Sequence, residues 1–79
     1  MEQKRLKRQI HPMPEDVARM LAEKGLADAY RRRPPYQQND YIGWIDRAKT
    51  QATREKRINQ MEEELRSGTH YMKMEYRAR

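Results

Sequence analysis

The adjacent prolines Pro34 and Pro35 constrain this chain most. Neither donates a backbone hydrogen bond, and each pushes the residue before it out of the helical region. No helix runs through that point. Pro12 and Pro14 make a second break, and Gly25 and Gly68 punctuate the stretches between. Within those bounds apolar residues recur at spacings of three and four, the period of a helix with one buried face.

Pro14 suits the first turn of a helix, and Glu15 and Asp16 follow where the helix dipole favours negative charge. Val17, Met20 and Leu21 supply the stripe of a short helix over about 14–24, stopped by Gly25. Leu26, Ala29 and Tyr30 predict a second, two-turn helix whose last turn holds Arg31, Arg32 and Arg33. Tyr41, Trp44, Ile45 and Ala48 mark a third over about 36–49, widened by Ile42. Gly43 weakens its interior by about 1 kcal/mol relative to Ala, and close approach of a neighbouring helix is the expected benefit. Thr50 caps a fourth helix that runs to about Ser67 on a stripe of Ile58, Met61 and Leu65, with Gly68 as its C′ residue. Glu62, Glu63 and Glu64 read as its solvated face. Met72, Met74 and Tyr76 alternate as in a strand, but no partner strand is visible, so residues 69–79 are expected to form a frayed tail.

Composition sharpens this outline. The 79 residues include four Leu, four Ile, one Val and no Phe, while 38% are charged and the net charge is +6. Leu, Ile, Val and Phe below roughly 20% with high net charge is the mark of disorder. The charge is uneven, however: +3 over residues 1–11, +1 over 12–35, zero over 36–68 and +2 over 69–79. Seven of the nine aliphatics lie in the near-neutral middle. The expectation is therefore an all-α domain of about four helices, two short and two longer, over residues 12–68. A flexible basic arm (1–11) and a flexible C-terminal tail (69–79) flank it. Helices three and four form an antiparallel pair covered by the two short ones. The expected core is Val17, Leu21, Tyr30, Tyr41, Trp44, Ile45, Ile58, Met61 and Leu65. With so few aliphatics the aromatics must carry much of the burial, and Trp44→Ala is expected to cost about 3–5 kcal/mol.

So small a core excludes a large buried active site and a two-domain enzyme, and no run of roughly 18 apolar residues is present to span a membrane. The absence of cysteine removes disulfides, thiolate nucleophiles and cysteine-ligated zinc. A chain this small without disulfide staples suits a reducing, cytoplasmic setting. The basic start is not followed by the apolar run of a signal peptide, because His11 to Pro14 interrupts it.

The landmarks can be read as an ordered set: Pro14 and Asp16; Pro34 and Pro35; Tyr41, Trp44 and Ile45; Ala48 and Lys49; Thr53, Arg54, Arg57 and Ile58; Gly68. This order resembles the bacterial YdeI/OmpD-associated family, also labelled the bacteriocin-protection family. Its pattern runs P-x-D, a Pro-Pro turn, Y-x-x-W-I, A-K, T-R-x-x-R-I and a closing glycine. The resemblance implies an all-helical fold and a link to envelope stress and bacteriocin tolerance. Relatives often carry a second domain ahead of this one. Residues 1–11 cannot hold it, so a small stand-alone member is expected. One departure is Tyr36, where the family more often has a small polar cap; the third helix would then start later or be capped by Asn39 or Asp40.

Two clusters are candidate sites. Lys49, Thr53, Arg54 and Arg57, with Lys56, gather at the start of the fourth helix, where cations oppose the dipole and call for a negative partner. That partner is either internal, with Arg54 or Arg57 bridging Asp16, Asp40 or Asp46, or an external phosphate, carboxylate or nucleic-acid backbone. Arg31, Arg32 and Arg33, with the tails, form a basic surface, read either as a solvated helix end or as a contact for nucleic acid or an anionic surface. His11 and His70 stand alone without a second ligand at metal spacing, Ser67 has no base, and Tyr41 and Trp44 read as core before platform. The sequence thus implies no catalytic residue, metal or cofactor. It reads as a non-enzymatic, monomeric module with a protein partner. The alternatives are a nucleic-acid or ribosome-associated accessory protein and a small-anion binder at the fourth helix.

Overall fold

The four expected helices form, and the chain adds a hairpin that its sequence does not announce. The computed structural model describes residues 10–76; residues 1–9 of the basic arm and 77–79 of the tail lie outside the described residues. The elements are α1 (Glu15–Glu23), α2 (Ala27–Arg32), α3 (Pro35–Asp46), α4 (Gln51–Ser67), β1 (His70–Tyr71) and β2 (Met74–Glu75). The described domain is predominantly α-helical.

Helix ends follow the punctuation. Thr50 is extended, and its Oγ1 accepts the Thr53 N–H at 3.1 Å. Gly68 closes α4 at φ +75°, donating its N–H to the Glu64 carbonyl. At α3 the expectation needs correction. The helix begins at Pro35, directly after an extended Pro34, because prolines supply the fixed φ and lack the N–H that a first turn leaves unpaired. Asn39 and Asp40 lie inside it, and neither is its N-cap. The Asn39 Oδ1 instead accepts the His11 N–H at 2.7 Å, holding the segment before α1 on α3.

Residues 41, 44 and 45 of α3 face residues 64, 57 and 54 of α4, so the two helices run antiparallel. The contacts are Tyr41 hydroxyl to Glu64, Arg57 to the Trp44 carbonyl at 2.6 Å and Arg54 to the Ile45 carbonyl at 3.5 Å. Helix α1 packs on α2, α2 on α4, and β1 on α4. The core between them is Val17, Leu21, Leu26, Tyr30, Tyr41, Ile42, Ile45, Met61 and Leu65. Trp44 and Ile58 were expected among these. They sit at its margin, half-buried and packed against it.

The frayed C-terminal tail is corrected over residues 69–76. Strands β1 and β2 pair antiparallel, His70 opposite Glu75 and Tyr71 opposite Met74. Tyr71 packs edge-to-face on Tyr36 and Tyr41, with ring centroids at 6.0 and 5.6 Å. The strand partner missing from the sequence reading is the chain itself, folded back through a two-residue turn, Met72 and Lys73.

Candidate functional site

Two charged side chains expected at the surface are buried. Glu64, placed in the sequence on a solvated face, is only 6% exposed, and Arg33, placed in a basic surface, only 5%. The two stand at the junction of α2, α3, α4 and the hairpin. Arg33 donates to the Gln37 Oε1 at 3.1 Å and to the Glu64 backbone carbonyl at 2.9 Å, and its guanidinium lies 4.8 Å from the Tyr76 ring centroid. The Glu64 carboxylate accepts the Tyr41 hydroxyl, the Gln60 amide and the N–H groups of Met72 and Lys73. Burial pushes this carboxyl up, and those donors outweigh it, leaving it below the ordinary glutamate value. Tyr41 is displaced upward, by its burial first and then by Glu64. Of the expected basic surface, Arg31 and Arg32 remain exposed, and Arg31 is held by Asp28.

The candidate anion cluster is divided. Arg54 turns inward. Its Nε and Nη2 reach the two carboxylate oxygens of Asp16 at 2.9 and 3.0 Å, and its Nη1 reaches Asp46 at 3.0 Å. The fork fixes α4 to the start of α1 and the end of α3. Hydrogen bonding to Arg54 holds the Asp16 carboxyl below its ordinary value, against the smaller opposing effect of burial. Thr53 joins the helix cap through Thr50. Lys49 is exposed beyond the end of α3. Arg57 bonds the Trp44 carbonyl and lies over its indole, 5.2 Å from the ring centroid. Of the four residues, Arg54 is committed internally, while Thr53 and Arg57 share an open surface.

That surface is a groove of about 910 Å³ along the outer side of α4. Trp44 and Arg57 line one part of it, Lys56 and Gln60 its length, and His70 and Lys73 of the hairpin its far side. Lys56 and Lys73 are exposed, and neither forms an ion pair among the described residues. Sequence reasoning singled out Arg57 and Thr53 but not Lys73 or His70, because those arrive only through the hairpin. No local pattern in residues 69–76 could have placed them beside α4.

Among the described residues no group of three or more His, Asp or Glu is arranged to hold a metal ion. No helix is long and apolar enough to cross a membrane. In comparisons with known proteins, no curated protein and no solved structure matches the chain. The sequence profile of the family described as "Bacteriocin-protection, YdeI or OmpD-Associated" does match, over residues 11–68. The match opens on His11, the residue docked on α3, and closes on Gly68, the cap of α4, so the hairpin lies beyond it. Covering most of the chain with the landmarks in order, it shows that the chain belongs to the YdeI/OmpD-associated, bacteriocin-protection family.

Proposed function

We propose that this protein is a non-enzymatic interaction module that binds another protein through the groove along α4. The cytoplasm is its proposed place of action, and bacteriocin or stress tolerance, after the family's name, its proposed setting. One observation carries the reading: the buried ionisable groups are spent on structure, while two lysines without an ion pair among the described residues line the groove. Glu64 and Arg33 are committed to the hairpin and to α3, and Arg54 is committed to Asp16 and Asp46. Lys56, Lys73 and a half-buried Trp44 face the open groove instead. A half-buried tryptophan overlain by an arginine is the kind of anchor on which binding energy concentrates, and lysines at the rim steer a partner of opposite charge.

Affinity capture with the parent chain and with Lys56→Glu, followed by identification of the retained proteins, tests the reading. The expected result is a defined partner held by the parent and lost by the variant. Equal retention by both overturns the assignment to the groove.

A further inference from the structure

We infer that the groove along α4 takes an acidic peptide segment, whose carboxylates meet Lys56 and Lys73 and whose apolar side chain lies against Trp44. This deepens the reading of a protein-binding module and rests on it. The groove's volume falls within the range of small-molecule pockets, yet it is open along its length and lined by polar and apolar surface in about equal parts, and an extended chain fills such a surface better than a compact ligand. Lys56 on α4 and Lys73 on the hairpin turn contribute unpaired positive charge at separate points along it. Between them, the amides of Asn59 and Gln60 offer donors and acceptors to a peptide backbone. At the α3 side Trp44 supplies apolar surface, held in place by Arg57 through its carbonyl and over its ring.

Charge spacing favours a peptide over a nucleic-acid strand. The exposed Glu63 lies in the same groove, and the exposed Glu55 borders the adjoining hollow with Lys56. A strand with a phosphate at every step meets those carboxylates as well as the lysines. A peptide carries its carboxylates at chosen positions and leaves neutral residues opposite Glu55 and Glu63. Like-charge contact is a strong means of rejecting a wrong partner.

Trp44 is the chain's single tryptophan and lines the groove, so its emission reports occupancy. The titrants are a synthetic Glu-rich peptide with one central leucine, the same peptide with Lys in place of Glu, and a single-stranded oligonucleotide of similar length. The expected result is a saturable change in Trp44 emission with the acidic peptide, weakened by salt. Affinity should fall about tenfold in the Lys56→Glu/Lys73→Glu double variant and hold in Arg31→Glu, which lies outside the groove. Lys56→Glu alone, remote from the hairpin turn, should weaken binding severalfold. It keeps the test decisive if the Lys73 substitution disturbs the turn. Binding of the oligonucleotide but not the acidic peptide overturns the inference in favour of nucleic acid. Acidic-peptide affinity unchanged in Lys56→Glu, or no response to either acidic ligand, overturns it outright. If a protein is captured by the parent and lost by Lys56→Glu while the acidic peptide fails, the inference falls and the protein-binding reading stands.

Discussion

Glu64 holds the backbone of Lys73. Its Oε2 accepts the Lys73 N–H at 2.8 Å, and its Oε1 accepts the neighbouring Met72 N–H at 2.8 Å. Met72 and Lys73 have φ of +52° and +67°, the conformation of a tight hairpin turn that ordinarily selects Asn, Asp or Gly. Two successive left-handed residues aim their N–H groups into one concavity, and such a concavity favours an anion. Here the anion is a carboxylate from α4. A turn without turn residues is thus stabilised by a helix residue eight and nine positions earlier.

Replacing Glu64 by Gln keeps the shape and removes the charge. A neutral amide presents one acceptor oxygen where the carboxylate presents two, so one part-buried N–H of the turn loses its partner. Loss of a typical hydrogen bond costs about 0.5–1.5 kcal/mol, the figure that suits part-buried groups. Glu64→Gln should lower the urea midpoint accordingly and speed amide exchange at Met72 and Lys73 more than in α1. Unchanged exchange at those two amides would show that the turn stands without Glu64.

The same carboxylate gives the domain an acid limit. Glu64 and Asp16 both titrate below their ordinary values in the fold. A carboxyl with a depressed folded-state pKa adds stability above its unfolded value and loses it as pH falls through the folded one. Stability should therefore be level from neutrality to about pH 5 and decline once pH drops below the ordinary glutamate value of 4.5. Glu64→Gln should flatten that decline, and the Asp16 contribution, from a partly exposed pair, should be the smaller. Tyr41 acts in the opposite sense. Its phenol is pushed upward, so its contribution is intact below the ordinary value of 10.0 and is lost as pH rises above it. Urea midpoints measured across the acid and alkaline ranges check both limbs; a midpoint constant down to about pH 3 refutes the first.

The helices were legible because residues that start or stop helices bound them: Pro14 and Pro34 by their fixed φ, Thr50 by its side-chain cap, and Gly25 and Gly68 by their freedom to take positive φ. The core was legible where period and burial agree, as at Val17, Leu21, Tyr41, Ile45 and Met61. Apart from the start of α3, where the prolines act locally, the misses share one cause, since each depends on a contact between separate elements. Arg33 looked like a cation at a helix end, and it is buried because the Glu64 carbonyl and Tyr76 come to it. Glu64 looked like one of three equivalent glutamates, and the hairpin picks it out. The groove stayed hidden because His70 and Lys73, which close its far side, reach α4 only through that hairpin. Arg54 was legible only as a choice between an internal and an external anion, and Asp16 lies 38 residues away in sequence.

Gly43 permits a close approach, but from an imidazole ring and not from the helix its sequence position suggested. A Cβ at Gly43 would lie 2.7 Å from the His11 Nε2, 2.8 Å from its Cδ2 and 3.3 Å from the Arg47 Nη1. Alanine gains about 1 kcal/mol of helix propensity over glycine, and displacing His11 should cancel that gain. Gly43→Ala should leave stability near the parent's while moving the His11 ring resonances. In a His11→Ala background, where the ring is gone, Gly43→Ala should stabilise by about 1 kcal/mol. Equal effects in the two backgrounds would mean that His11 does not pack on Gly43.

Ile45 and Trp44 are neighbours on α3 with opposite assignments. Ile45 is fully buried at the centre of the core, whereas Trp44 sits at its margin and lines the groove. Burial, more than size, sets the cost of truncation. Ile45→Ala removes atoms from a close-packed site and should cost about 2–5 kcal/mol. Trp44→Ala removes a partly solvated ring and its contact with Arg57, a pairing worth about 0.5–1 kcal/mol at exposed sites. It should cost about 1–3 kcal/mol, less than the 3–5 kcal/mol of a fully buried aromatic, and leave a cooperative melt. Chemical denaturation of the two variants side by side reads the order directly. A larger loss at Trp44 than at Ile45 would return the indole to the core and remove it from the proposed binding surface.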